Sequence, residues 1–187
     1  MVTTSPKRPN LKRPLLVVVT GVQGTGKSTV AEAAAEMLGA AVLAHDWAMS
    51  SLREYPEIQA ALDAMDPPGH RVVGWSILNT LTRAQLQRRS SVVLDGVARS
   101  PEIDQCRQTA QDLSVGMVVI MTQCSDLEVH RLRINGRQRA IPNWYELDWP
   151  HVQATLADWE SPEGVDLYLE ATDQWEDNLT RLHNVFG

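Results

Sequence analysis

The sequence predicts an α/β domain, with five strands alternating with helices and a sheet of the parallel type. Three observations predict it. The first, third and fourth strand candidates are continuous apolar runs rather than alternating ones, as expected of strands buried on both faces. They alternate along the chain with segments of helical periodicity, the pattern of βαβ units. The first run leads directly into Gly21-Val22-Gln23-Gly24-Thr25-Gly26-Lys27-Ser28, a G-x-x-x-x-G-K-S loop set between a strand and a helix.

The elements follow in order. Leu15–Thr20 (LLVVVT) is the first strand. Lys27–Leu38 is alanine-rich, with Val30, Ala34, Met37 and Leu38 at helical spacing, and Gly39 ends it. Ala41–Ala44 is a short second strand that stops at His45-Asp46. A helical piece over 56–65 is halted by Asp66-Pro67-Pro68-Gly69. A long helix then spans 70–88, its apolar stripe marked by Val73, Ile77, Leu78, Leu81, Ala84 and Leu86. The third strand, 91–94, runs into Asp95-Gly96. Ser100-Pro101-Glu102 opens a helix to Leu113 with a cap, a proline and an acid in the first turn. The fourth strand is 115–122, and Ser125 or Asp126 caps a helix over Leu127–Asn135. The connection IPNWYELDW leads to a helix over 149–159, a turn at 160–164, a fifth strand at 165–170 and a closing helix at 173–185.

Composition narrows the class. A chain of 187 residues with 43% hydrophobic content suits one ordinary globular domain. Formal net charge is −6, and residues 143–187 carry ten acids against Arg181 alone, so −9 there and +3 elsewhere. Such a chain is a poor candidate for gripping long nucleic acid by phosphate neutralisation. Cys106 and Cys124 lack metal-type spacing and read as reduced thiols. No apolar run approaches a membrane span, and the amino terminus lacks the apolar core of a signal peptide. A cytoplasmic location is expected, with no membrane partner. Residues 1–14 read as a flexible tail whose Lys7, Arg8, Lys12 and Arg13 could touch an acidic partner. A homodimer stays open beside a monomer.

The glycine-rich loop carries the chemistry. Small residues let successive backbone N–H groups curl around phosphate oxygens, and the following helix aims its positive end at the same anion. The expected nucleoside triphosphate site is therefore Gly21, Gln23, Gly24, Thr25, Gly26, Lys27, Ser28 and Thr29. Lys27 reaches the β- and γ-phosphates, and the Ser28 hydroxyl ligates Mg²⁺. The bland alternative is a glycine-rich turn with no ligand.

Other candidates sit just past strand ends, where ligands bind in open α/β sheets. Asp46 reads as the general base for an acceptor hydroxyl, against a simple helix N-cap. His45 reads as structural. Arg53 could hold acceptor or phosphate, against a solvated helix face. Trp75 either lines an acceptor pocket or packs in the core, and core is the stronger reading. Asp95, ending an apolar strand, has the shape of a Walker B aspartate that holds Mg²⁺ through water or orients the acceptor, against a turn-forming Asp-Gly. Arg99 faces the same mouth. Arg131, Arg133, Arg137 and Arg139 fall within nine positions and suggest a lid over the transferring phosphoryl group. Trp144, Tyr145, Trp149 and Trp159 either stack on an acceptor ring or pin their segment to the body.

Together these motifs resemble the small P-loop kinases that include chloramphenicol phosphotransferase, gluconate and shikimate kinases, and the kinase part of polynucleotide kinase. The resemblance is carried by GVQGTGKST (21–29), LAHDWAMSSLR (43–53), VVLDGVAR (92–99) and CSDLEVHRLRINGRQRAIPNW (124–144). It implies a P-loop NTPase fold over 15–187, strand order 2-3-1-4-5 and an Arg-rich lid. It places Asp46 where relatives keep an acceptor-activating carboxylate, and Arg133, Arg137 and Arg139 in the lid. Arg53 lies seven residues past Asp46, farther than the corresponding arginine of polynucleotide kinases. The implied activity is transfer of the γ-phosphoryl group of ATP, with Mg²⁺, to the hydroxyl of a small-molecule acceptor. Catalysis would rest on Lys27, Asp46, Arg133 and Arg137. Arg139 would bind ATP, and the acceptor would lie among Asp46, Arg53, Trp75, Asp95 and Arg99. The alternatives are a polynucleotide or nucleotide kinase and a nucleotide-binding regulatory ATPase.

Overall fold

The computed structural model describes residues 13–187. The stretch 1–12, with most of the expected tail and its Lys7, Arg8 and Lys12, lies outside them. Five strands, β1 (Leu15–Thr20), β2 (Ala41–Ala44), β3 (Val92–Asp95), β4 (Gly116–Gln123) and β5 (Leu167–Glu170), form one parallel sheet in the order β2-β3-β1-β4-β5. The helices are α1 (Lys27–Leu38), α2 (His45–Ser50), α3 (Pro56–Asp63), α4 (Gly69–Gln87), α5 (Ser100–Asp112), α6 (Leu127–Asn135), α7 (Trp149–Ala157) and α8 (Trp175–Phe186). A 3₁₀ turn at Ser51–Glu54 links α2 to α3.

The central strand explains the layering. Leu16, Val17, Val18 and Val19 of β1 are fully buried. Because side chains alternate across a strand, this run feeds two cores. Leu16 and Val18 pack with Trp75 and Leu78 of α4 and Ile103 and Cys106 of α5. Val17 and Val19 pack with Val30, Ala31 and Ala34 of α1 and Leu182 of α8. Each buried Val, Leu or Ile side chain stabilises by about 1.5–3 kcal/mol, so the two faces hold the sheet as a sandwich of helices. A smaller cluster of Val22, Ile134 and Val152, with Trp149, Leu156 and Trp159, ties α6 and α7 to the loop after β1.

Register fixes where the site lies. Val19 of β1 and Ala44 of β2 both pair with Asp95 of β3. The carboxyl ends of these three neighbouring strands are therefore level. The phosphate loop leaves β1 there, Asp46 follows β2, and Asp95 ends β3. The expected third strand shifts by one residue, so Asp95 belongs to the strand itself. The fifth begins at Leu167 rather than 165, because the Asp166 carboxylate, not a backbone carbonyl, accepts from the Val119 N–H at 2.8 Å. Among the described residues no helix is long and apolar enough to cross a membrane.

Candidate active site

The loop between β1 and α1 is built from left-handed glycines. Gly21 has φ +138°, and a Cβ there would lie 2.1 Å from the Thr122 carbonyl oxygen, so only glycine lets β1 pass β4 at this point. Gly24 and Gly26 also have positive φ. Thr25 Oγ1 bonds to the Val22 carbonyl at 2.7 Å and shares a 2.6 Å bond with Thr122 Oγ1, which locks the loop to β4. The His130 ring of α6 bonds through Nε2 to the Gln23 carbonyl at 2.6 Å and meets Trp149 edge-on.

Lys27 folds back over the loop and donates to the Val22 carbonyl at 2.9 Å. Loss of water around its ammonium lowers its pKa to about 8; Asp95 and Asp46 oppose that shift, while Arg137 and Arg139 add to it. Ser28 Oγ donates to Asp95 Oδ2 at 2.8 Å. Burial raises the Asp95 pKa against the pull of Lys27 and Ser28.

Asp46 lies in the first turn of α2, but it is not the cap: that position is Ala44, with no side-chain cap bond. Its carboxylate instead receives Arg139 Nη1 and lies 3.5 Å from His45 Nδ1. Burial pushes its pKa up, yet the His45 contact and the Arg139 charge outweigh burial and hold it at about 2. His45 is in turn fixed by Nε2 against the His70 carbonyl at 3.2 Å. That contact needs Gly74, since a Cβ on it would lie 2.3 Å from His45 Nε2.

Lys27, Ser28, Asp46, Asp95, Arg99, Arg137 and Arg139 line one cleft of about 790 Å³ together with Gln23 and Trp75. Trp75 is 2% exposed, so it is both core and cleft floor. Arg99 is already committed, with Nη2 2.8 Å from Asp158 Oδ2 and its guanidinium over Trp159. Arg137 makes no ion pair among the described residues, and burial together with Arg139 lowers its pKa.

Two expected residues are not brought to this cleft. Arg53 stacks on Trp144 and Tyr145, 5.3 and 4.6 Å from their ring centres, because the 3₁₀ turn runs beneath that segment. Arg133 turns to the far side of α6 and donates to the Ala171 carbonyl at 2.6 Å. There it lines a second pocket of about 270 Å³ with Thr25, Gly26, Thr29, Trp175 and Asn178. Arg131 is a surface partner of Glu128. The aromatic segment divides: Trp149 and Trp159 pack on the body, while Trp144 and Tyr145 line the cleft.

Sequence reasoning passed over His70, Gly74, His130 and Glu146. Glu146 accepts from Arg139 through backbone N at 2.7 Å and Nε at 3.3 Å, steering that arginine toward Asp46. A glycine inside a long helix is the one local signal that pointed to Gly74.

A family model described as an AAA domain, AAA_33, matches residues 16–161. The chain belongs to that family. The AAA_33 match covers the phosphate loop, Asp46, Asp95 and the arginine segment, and stops short of β5. No curated protein matches the chain. Solved structures share its fold at low identity. A gluconokinase from Sinorhizobium meliloti 1021 is 21% identical with a TM-score of 0.64, over 96% of this chain and 98% of that one. The Mycobacterium tuberculosis APS kinase CysC, in complex with AMPPNP and APS, is 18% identical with a TM-score of 0.64, over 93% and 98%. A sugar kinase from Janibacter sp. HTCC2649 is 19% identical with a TM-score of 0.65, over 91% and 93%. The fold is the P-loop NTPase fold of small kinases.

Proposed function

We propose that this AAA_33 chain is a small-molecule kinase, a single catalytic domain over 15–187 working in the cytoplasm, that moves the γ-phosphoryl group of ATP to an acceptor hydroxyl. One observation carries the reading: a phosphate loop with its lysine and a carboxylate free of capping duty share one cleft at the level ends of the two strands that flank β3.

In this reading the loop amides and Lys27 bind the β- and γ-phosphates. The acceptor oxygen attacks the γ-phosphorus, its proton passes to the Asp46 carboxylate, and the bond from that phosphorus to the β,γ-bridging oxygen breaks to release ADP. Arg137 and Arg139 neutralise charge on the moving group, and their segment works as the lid. The second pocket, with Arg133 and Trp175 beside Gly26 and Thr29, suits the nucleoside end.

Mg²⁺ fits the donor set. It favours oxygen ligands and keeps several waters, and Ser28 with Asp95 offers a hydroxyl and a carboxylate side by side. Among the described residues no three His, Cys, Asp or Glu converge on a metal site, which suits an ion held largely by phosphate and water. When bound, it would supply charge neutralisation across the β- and γ-phosphates.

The test is ATP consumption by the purified chain across a panel of hydroxylated compounds, with Lys27→Ala alongside. Acceptor-dependent ADP release that vanishes in the variant supports the kinase reading. Slow hydrolysis that no acceptor stimulates would favour a regulatory ATPase, and preferential phosphorylation of oligonucleotide 5′ ends would favour a polynucleotide kinase.

A further inference from the structure

We propose that the acceptor is an uncharged alcohol with a bulky, planar apolar body, and not a sugar acid or a phosphorylated compound. This rests on the kinase reading and adds the chemical class of its second substrate. The class follows from how the cleft beyond Asp46 is walled and from how its charges are matched.

Part of the wall is aromatic and aliphatic. Trp47, Trp75, Val97, Trp144, Tyr145 and Leu147 all line the cleft. Trp47 directly follows Asp46 and is 55% exposed, while Tyr145 is 44% exposed. Large aromatic surface left open at the rim of a concave site marks a place where a ligand completes the packing. Tyr145 lies next to the candidate base, since its carbonyl accepts from Arg139 Nη2 at 3.2 Å, and its ring stacks on Trp144 at 5.3 Å. The Trp75 ring lies 6.0 Å from His45. An acceptor that presents a hydroxyl to Asp46 therefore has its remaining atoms among ring faces. The cleft, at about 790 Å³, falls in the range of pockets that enclose drug-sized ligands.

The charges are already matched. A carboxylate or phosphate on the acceptor would call for an unpaired guanidinium, because bidentate arginine is the usual partner of such groups. Arg71 lies with Nε 3.1 Å from Glu102, Arg99 is paired with Asp158, and the His70 ring meets Asp63 at 3.0 Å. Arg53, stacked on Trp144 and Tyr145, does not line the cleft. Among the described arginines lining the cleft, the unpaired one is Arg137, and it lies at the transfer end, close enough to sense both Asp46 and Asp95. An anionic acceptor that took Arg71 would strand the buried Glu102 carboxylate, and one that took Arg99 would break its bonds to both the carboxylate and the carbonyl of Asp158. A neutral ring system keeps every pair and covers the exposed aromatic faces.

The experiment is calorimetric titration of the full chain with ADP and Mg²⁺ present, using 4-nitrophenyl β-glucoside as the neutral aromatic probe and gluconate as the anionic one. The aryl glucoside is expected to bind at least about tenfold more tightly than gluconate, an aromatic contact's worth of affinity. Trp47→Ala should remove about tenfold of the aryl glucoside affinity, Trp47→Phe should restore most of it, and gluconate should be indifferent to both. Equal or tighter binding of gluconate, no binding of the aryl glucoside, or aryl glucoside affinity untouched by Trp47→Ala would each overturn the proposal. Nucleotide binding is titrated separately on the same protein: if it is intact when the acceptor result fails, only the acceptor class falls, and if it is absent the kinase reading falls too.

Discussion

Arg139 donates to the carboxylate of Asp46 while its backbone N and Nε hold Glu146. The candidate base is thus covered by a cation from a segment 93 residues away. If, as proposed, a triphosphate entering the cleft competes for that same guanidinium, uncovering Asp46 and binding nucleotide are coupled. The coupling predicts ordered behaviour, with nucleotide first. Arg139→Gln should lower kcat by about 10²-fold, a fraction of what a transition-state arginine is worth. The same variant should raise the Asp46 pKa above about 2 in the nucleotide-free chain, because burial then acts with less opposition. Carboxyl NMR titration reads this directly. The sign also reaches stability: a carboxyl held at about 2, below its ordinary 3.8, stabilises the fold above 3.8, and that contribution is lost as pH falls through 2. The Arg139→Gln variant should lose less between those limits.

Asp46→Asn separates chemistry from binding. If the carboxylate takes the acceptor's proton, kcat should fall by about 10²-fold or more while ATP affinity holds, since the phosphate loop is untouched. Steady-state kinetics with a turned-over acceptor, beside nucleotide calorimetry, checks both halves. Near-normal turnover would leave Asp46 as a partner for Arg139 and nothing more.

Lys27 makes nucleotide binding pH-dependent in a definite direction. Its pKa of about 8, against an ordinary 10.5, means that it is charged below 8 and loses its proton above. Bound phosphate favours the ammonium form, so affinity should be flat below about 8 and fall as pH rises through and beyond it. Binding near pH 9 should take up a proton. Titrations in buffers of different ionisation enthalpy measure that uptake, and Lys27→Ala should abolish it.

Asp95→Asn probes the metal. Ser28 Oγ would keep a partner, but the carboxylate charge would be gone. The Mg²⁺ concentration for half-maximal turnover should rise by about tenfold or more, as when a residue orienting a metal's water is lost. An unchanged Mg²⁺ requirement would assign Asp95 to holding Ser28 alone.

Much of the fold was legible because its signals are local. Buried strands of Leu and Val need no context, and a G-x-x-x-x-G-K-S loop between strand and helix is read from its own spacing. Strand ends were legible enough to place Asp46 and Asp95 at the same mouth. What failed was anything decided by a distant partner. Arg53 sits where a helix-face arginine should, yet Trp144 and Tyr145 draw it away. Arg133 and Arg137 are four apart and would share one face of a continuous helix, but α6 ends at Asn135, so Arg133 reaches the Ala171 carbonyl while Arg137, past the helix end, lines the cleft. The Asp46–Arg139 pair is set by Glu146 and the path of the loop before α7, which no periodicity encodes.

Gly74 gives the last prediction, because it joins packing to the candidate base. It sits inside α4, where glycine costs about 1 kcal/mol relative to alanine, so a close approach must compensate. That approach is His45: an added Cβ would lie 2.3 Å from Nε2 and 3.0 Å from Met49 Cγ. Gly74→Ala gains helix propensity but overpacks the α2–α4 contact, and overpacking costs about 1–3 kcal/mol. The net expectation is a fall in Tm of up to about 8 °C. Because the displaced ring is held by the His70 carbonyl and lies against Asp46, turnover should fall as well, with ATP affinity unchanged. Ser76→Ala, at an exposed position of the same helix, is the control and should leave both Tm and kcat alone. If Gly74→Ala melted higher and turned over normally, α2 would have room that the His45–Gly74 distance denies, and the positioning of Asp46 would have to come from Arg139 alone.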